Sequence, residues 1–184
     1  MSCSPPDCNI ELKARLDDLQ AARELAASLA TEPGQVVEQT DVYYRCAAGR
    51  LKLRVSSCGP AQLVAYRRAD VATSKASDYH LLDVDDPQRL AQMLSETLGV
   101  RCVVRKRREV FLYHNVRIHL DEVASLGTFL EFEAVLSDEI SPDEGHSQIA
   151  YLSEVFRIEA SDLLRGSYCD MVRPATGEIT PDLQ

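Results

Sequence analysis

The sequence predicts an α+β fold, mostly antiparallel, with hairpin-linked strands and interspersed helices. Apolar and polar residues alternate with period two in repeated stretches of strand length. Three other segments carry apolar residues at helical spacing between recognisable caps. Short turn-forming clusters join most strand candidates directly, as hairpins allow and parallel crossovers do not. A chain of 184 residues, 45% of them hydrophobic, can bury one substantial core. The expectation is a single domain over residues 9–172, between a disordered lead-in at 1–8 and a disordered tail at 173–184.

In chain order, the first strand is C-N-I-E-L-K-A-R-L, with Ile10, Leu12, Ala14 and Leu16 on one face and Asn9, Glu11, Lys13 and Arg15 on the other. A helix follows from Asp17 to Ala30, with Leu19, Ala22, Leu25, Ala26 and Leu29 at helical spacing, Asp17 or Asp18 to cap it and Pro33-Gly34 to stop it. Strands are expected over Gln39–Cys46, Gly49–Val55 and Gln62–Arg68. The second helix has Asp86 as N-cap, Pro87 at its first position and Gly99 at its end. A long strand, Arg101–Tyr113, turns at His114-Asn115 into Val116–Val123, and Ser125–Thr128 turns again into Phe129–Leu136. The third helix runs from Glu144 to Phe156, and a last turn at Asp162–Leu164 ends at Gly166.

A formal net charge of −9 makes the chain a poor general binder of nucleic acid or anionic membrane. No run approaches the roughly 18 apolar residues that would span a bilayer, and the start M-S-C-S-P-P-D-C has neither a basic nor an apolar region of a secretory signal. A cytoplasmic protein is expected. The six cysteines show no C-x-x-C pair and fit neither a zinc site nor a disulfide framework. They are expected as reduced thiols.

The polar strand faces are unusual as a set. Arg50, Lys52 and Arg54 alternate with Leu51, Leu53 and Val55; Asn115, Arg117, His119 and Asp121 with Val116, Ile118 and Leu120; Glu131 and Glu133 with Leu130, Phe132 and Ala134. Gln39, Asp41, Tyr43 and Arg45 alternate likewise, as do Tyr66 and Arg68. A solvent face would use Thr and Ser freely, whereas these are nearly all ionic, with cations and carboxylates grouped by strand. If the sheet curls closed with its apolar faces outward, the charged faces converge on one cavity. Such a cavity suits a polyphosphate with a divalent metal: Arg and Lys take phosphate oxygens, and carboxylates take Mg²⁺ or Mn²⁺. The basic run V-R-K-R-R at 104–108 reads as a strand rather than a nucleic-acid patch, because apolar residues flank it. Alternation leaves open whether Lys106/Arg108 or Arg105/Arg107 faces inward.

The ordered fragments N-I-E-L-K-A-R, Q-T-D-V-Y-Y, G-R-L-K-L-R, V-V-R-K-R-R, V-R-I-H-L-D-E-V-x-x-L-G and F-L-E-F-E, from about Asn9 to Asp170, resemble the CYTH superfamily of triphosphate tunnel metalloenzymes, nearest the class IV adenylyl cyclase branch. The resemblance implies a closed antiparallel eight-stranded β-tunnel with helices outside. It implies triphosphate ligands at Arg50, Lys52, Arg54, Arg68, Lys106, Arg108 and Arg117, and so chooses Lys106 and Arg108 as inward. It implies metal ligands at Glu11, Asp121, Glu131 and Glu133, holding Mg²⁺ or Mn²⁺. Lys13, Glu11, Arg54 and Lys106 are expected nearest the chemistry. The first Glu of the family's E-x-E-x-K motif is Asn9 here, which removes one metal-binding charge. Hydrolysis of a terminal phosphoanhydride is expected (of inorganic, thiamine or nucleoside triphosphate), with cyclisation of ATP to cyclic AMP and pyrophosphate as the alternative and a polyphosphate-binding module without strong catalysis as a third. His119 is expected packed beside the acid cluster rather than as a general base. The expected partner is the small-molecule triphosphate, with a homodimer left open and neither nucleic acid nor membrane.

Overall fold

The computed structural model describes residues 5–172; residues 1–4 of the expected lead-in at 1–8 and the expected tail at 173–184 lie outside them, while Asp7 and Cys8, expected in the lead-in, belong to the first strand. The elements are β1 (Asp7–Arg15), α1 (Leu19–Leu29), β2 (Gln35–Tyr44), β3 (Arg50–Ser56), β4 (Ala61–Arg68), β5 (Lys75–Val84), α2 (Pro87–Leu98), β6 (Val100–Tyr113), β7 (Val116–Val123), β8 (Gly127–Val135), α3 (Pro142–Val155) and α4 (Tyr168–Met171). The strands close into an antiparallel barrel in the order β1-β5-β4-β3-β2-β6-β7-β8. Closure falls on β1, which pairs β5 on one side and β8 on the other.

The local signals act as expected. Asp18 accepts from the Ala21 amide at 2.9 Å and starts α1. Asp86 accepts from the Arg89 amide at 3.0 Å, with Pro87 next in the chain, and Gly99 ends α2 at a φ of 75° that side chains resist. Ser141 and Glu144 form a reciprocal capping box at α3. His114 and Asn115 make the tight turn from β6 to β7.

The barrel is inverted relative to an ordinary core. Its apolar faces point outward: Ile10, Leu12, Ile118, Leu120, Leu130 and Phe132 pack against Ala22 and Ala26 of α1 and Ile149 and Leu152 of α3. On the opposite side Val42, Tyr44 and Leu53 pack against Ala91, Leu90 and Leu94 of α2. The inside is mostly polar, although Val64 and Leu81 also line it, and one end is apolar. There Tyr43, Cys102, Val104, Val123 and Phe129 form an apolar plug with Tyr168 and Cys169 of α4.

Two features depart from the sequence reading. Strand β5 was not expected. Its inward Lys75 and Ser77 are buried, but its outward Ala76, Asp78, His80 and Leu82 are exposed, no helix among the described residues covering them, so no apolar face marks it. Cys102 and Cys169 are joined in a disulfide across 67 residues, which corrects the expectation of reduced thiols. Folding brings β6 and α4 together, which spacing along the chain could not show. A crosslink closing a loop of that size stabilises by roughly 4 kcal/mol through the unfolded state. Reductant should therefore lower the melting midpoint of the protein and leave that of a Cys169→Ser variant unmoved. Equal midpoints with and without reductant in the parent protein would show that the bond does not form.

Candidate triphosphate and metal site

The alternation that put apolar residues outside delivers the ionic residues to a tunnel of about 360 Å³. Its lining includes Glu11 and Lys13 from β1, Lys52 and Arg54 from β3, Arg68 from β4, Lys106 and Arg108 from β6, Arg117 from β7, and Glu131 and Glu133 from β8. The basic run on β6 splits by parity. Lys106 and Arg108 are buried inside, whereas Arg107 lies on the outer face against Glu109 at 2.6 Å and Glu122 at 2.9 Å.

Two of the expected residues sit off the lining. Asp121 is fully buried beneath Arg108. Arg50 stands near one end, held by Asp70 at 2.8 Å and Asp170 at 3.1 Å.

The ionic groups form two connected sets. In the first, Asp41 accepts from Arg54 Nε at 2.8 Å, Lys52 Nζ at 3.1 Å and Lys106 Nζ at 3.3 Å. Burial alone would raise the Asp41 pKa, but Arg54, Lys52 and Lys106 hold it well below the usual carboxylate range. Burial and the neighbouring Arg54 push Lys52 down to about 7. Burial and Arg108 push Lys106 down to about 8. In the second set, Arg108 grips both oxygens of Asp121 at 2.6 Å and reaches Glu131 at 2.7 Å. Glu131 also takes Lys13 Nζ at 2.7 Å, and Arg108 and Lys13 keep it ionised despite its burial. Glu11 pairs with Arg68, and Glu133 faces Arg117 at 3.5 Å.

Among the described residues, inward cations (Lys13, Lys52, Arg54, Arg68, Lys75, Lys106, Arg108, Arg117) outnumber inward carboxylates (Glu11, Asp41, Asp121, Glu131, Glu133). The surplus is positive, which favours a polyanion. A divalent ion also fits the residues present. His119, Glu131 and Glu133 place one ligand atom each within 4.8 Å of one another. On the neighbouring β1, Asn9 Oδ1 is buried with no hydrogen-bond partner among the described residues.

Sequence reasoning missed four members of the site. Asp41 was visible by parity but not singled out. Lys75 and Ser77 lay on the unrecognised β5. Tyr168 lies on the four-residue α4, donates to Asp121 Oδ2 at 2.7 Å and carries Lys13 Nζ 3.8 Å above its ring. Tyr43 and Tyr66, left open between lining and ordinary strand aromatics, both line the tunnel, with Lys52 Nζ 5.4 and 5.8 Å from their ring centres.

Comparison with known proteins follows the same lines. Residues 8–168 match the family model described as CYTH domain. The chain is 23% identical over 170 residues to "Putative adenylate cyclase MJ0240" of Methanocaldococcus jannaschii, covering 88% of this chain and 97% of that protein. Among solved structures, the PH1012 protein of Pyrococcus horikoshii superposes with a TM-score of 0.78 at 23% identity, covering 90% of this chain and 99% of the other. The Hippeastrum protein HpAC1, described as a "putative adenylyl cyclase" that reveals a dominant triphosphatase activity, superposes with a TM-score of 0.58 at 14% identity, covering 86% and 90%.

Proposed function

The chain belongs to the CYTH domain family, and from that premise we propose that it hydrolyses the terminal phosphoanhydride of a triphosphate held in the tunnel with a divalent metal. The supporting observation is the tunnel itself, where rows of buried Lys and Arg face a carboxylate cluster with a net surplus of cations. Lys52, Arg54 and Lys106 clasp phosphate oxygens on one side, exchanging Asp41 for the ligand. Lys13, Arg68, Arg108 and Arg117 meet it from the other walls and stabilise charge that grows in the transition state. Glu11, Glu131 and Glu133 carry the metal side of the site, while Asp121, buried beneath Arg108 with both oxygens engaged, orients that guanidinium. The ion would supply Lewis-acid polarisation of the phosphoryl oxygens. The apolar plug around Tyr168 limits water at one end of the tunnel.

A second reading, cyclisation of ATP to cyclic AMP and pyrophosphate, is favoured by the R-I-H-L-D-E-V signature on β7. The name of the Methanocaldococcus relative points the same way. Such a name does not exclude hydrolysis, as the description of the Hippeastrum protein illustrates. Purified protein given tripolyphosphate, thiamine triphosphate and ATP, with Mg²⁺ and then Mn²⁺, discriminates by product. Orthophosphate without cyclic AMP supports the phosphohydrolase. Cyclic AMP with pyrophosphate overturns it in favour of the cyclase, and no product from any of the three leaves a binding module.

The two depressed lysines give binding a pH signature. In the free tunnel Lys52 loses its proton near pH 7 and Lys106 near pH 8. A bound triphosphate favours both ammonium forms, so binding at pH 8 takes up protons, of order one per site. Calorimetry in two buffers of different ionisation enthalpy should give different apparent enthalpies with that sign; identical enthalpies would refute it. The ligand-free protein carries the converse. The unfolded chain, with lysines near 10.5, holds more protons between about pH 7 and 10.5, so on this account free-state stability rises with pH across that window.

A further inference from the structure

His119 has no task in the phosphate-binding scheme, yet the fold has placed it with care. It sits on β7 at 4% exposure, facing inward between the two carboxylates of β8. Its Nδ1 lies 3.4 Å from Glu131 Oε2 and 3.9 Å from Glu133 Oε1. Neighbouring ligands of an ion with bonds of about 2.1 Å are roughly 3.0–3.5 Å apart, so small side-chain movements bring all three onto one ion. The two carboxylates are not equally free. Glu131 is committed to Lys13 and Arg108, both at 2.7 Å, whereas the nearest cation to Glu133 is Arg117 at 3.5 Å.

A second observation points to the same place. Asn9 is inward on β1 at 5% exposure, and its Oδ1 has no hydrogen-bond partner among the described residues. Register sets Glu133 opposite Glu11 and Asn9 one inward position along from Glu11, so the orphaned amide oxygen is a diagonal neighbour of Glu133. A buried acceptor left unsatisfied costs free energy unless something occupies it.

We infer that this chain holds its divalent ion through nitrogen as well as oxygen, with His119 joining Glu133, Glu131 and the Asn9 side-chain oxygen, and that the site therefore takes Mn²⁺ or another first-row transition ion in preference to Mg²⁺. Mg²⁺ keeps an octahedral oxygen shell and dehydrates reluctantly. Imidazole donors gain strength along the transition series and do little for Mg²⁺. Asn9 removes a charge that would serve a hard cation, and His119 supplies a donor that serves a softer one. The inference deepens the metal–triphosphate reading and rests on it for the ion's purpose, but its test needs no turnover.

The test is Mn²⁺ binding to the full-length, substrate-free protein, followed by electron paramagnetic resonance with pulsed detection of ¹⁴N coupling and by competition with Mg²⁺. The expected result is tight Mn²⁺ with a ¹⁴N coupling that becomes ¹⁵N on histidine labelling, and at least about a tenfold preference over Mg²⁺. His119→Gln should bind Mn²⁺ without the nitrogen coupling and lose most of that preference. Mn²⁺ bound with no nitrogen coupling, coupling that survives in His119→Gln, or equal affinity for the two ions would overturn the inference. The isotope arm shows whether a histidine binds the ion even if the variant fails to fold, and among the described residues His119 is the histidine grouped with these carboxylates. Turnover of triphosphate by a protein without nitrogen coupling would leave the proposed function standing and sink only this inference. Nitrogen coupling in a protein that turns over no triphosphate would do the reverse.

Discussion

A Lys13→Ala protein should lose triphosphate turnover by at least about a hundredfold in kcat/KM while remaining folded. Lys13 lies in the tunnel at 5% exposure, 2.7 Å from Glu131 and 3.8 Å above the Tyr168 ring. From there its ammonium reaches both the carboxylate side of the site and the ligand. Removing one preorganised donor to developing charge costs on the order of 10²–10³ in rate. Glu131 keeps Arg108 at 2.7 Å and His119 at 3.4 Å, so the carboxylate is not stranded and the fold survives. Steady-state kinetics with a circular-dichroism melt checks both halves. A folded variant that turns over at the parent rate would remove Lys13 from the site and the tunnel assignment with it.

Arg108→Met should produce the largest loss of stability among the tunnel substitutions, and the loss should depend on pH. Arg108 neutralises Asp121 and Glu131 together, and Tyr168 leans on the same Asp121 carboxylate. Methionine leaves the buried Asp121 without its paired cation and Glu131 with Lys13 alone, a change that costs about 3–5 kcal/mol and lowers the melting midpoint of a domain this size by roughly 6–20 °C. Asp121 and Glu131 are both held below their usual values in the parent, where burial raises them and Arg108 is among the groups that lower them. The stability they contribute is present above the unfolded carboxylate values of 3.8 and 4.5 and fades as pH falls through the folded ones. The gap between parent and variant should therefore be widest near neutrality and narrow toward pH 4, as the stranded carboxylates take up protons. Melts at a series of pH values measure this. A midpoint within 2 °C of the parent at pH 7, or a gap flat with pH, would contradict the placement of Arg108.

Much of this was legible in the residues, for a physical reason. Where a helix covers a strand, its outer face must be apolar and its inner face, lining the tunnel, polar. Ile10/Glu11/Leu12/Lys13 and Leu130/Glu131/Phe132/Glu133 therefore announce both strand and facing. The same logic explains the omission of β5, since no helix among the described residues covers Ala76, Asp78, His80 and Leu82 and nothing there forces an apolar face. Periodicity was silent on V-R-K-R-R because both faces of that strand segment are charged. The likeness to known tunnels selected Lys106 and Arg108, and the structure places them inside. Asp41 escaped notice because a carboxylate among expected phosphate ligands looks out of place until the cations it gathers are seen. Tyr168 and the Cys102–Cys169 bond depend on where a four-residue helix lands after the barrel closes, which no local pattern encodes.

The claim that the inward polar faces are the triphosphate site is tested most directly on β6, where neighbouring basic residues point to opposite sides of one wall. Lys106 is buried in the tunnel against Asp41, whereas Arg107 pairs with Glu109 and Glu122 on the outer face. Calorimetric titration of tripolyphosphate in the presence of Mn²⁺ should show one binding site in the parent, unchanged affinity in Arg107→Ala, and at least about a tenfold weakening in Lys106→Ala, the loss of one desolvated charge-assisted contact. Equal weakening by the two substitutions, or no saturable binding in the parent, would contradict the account.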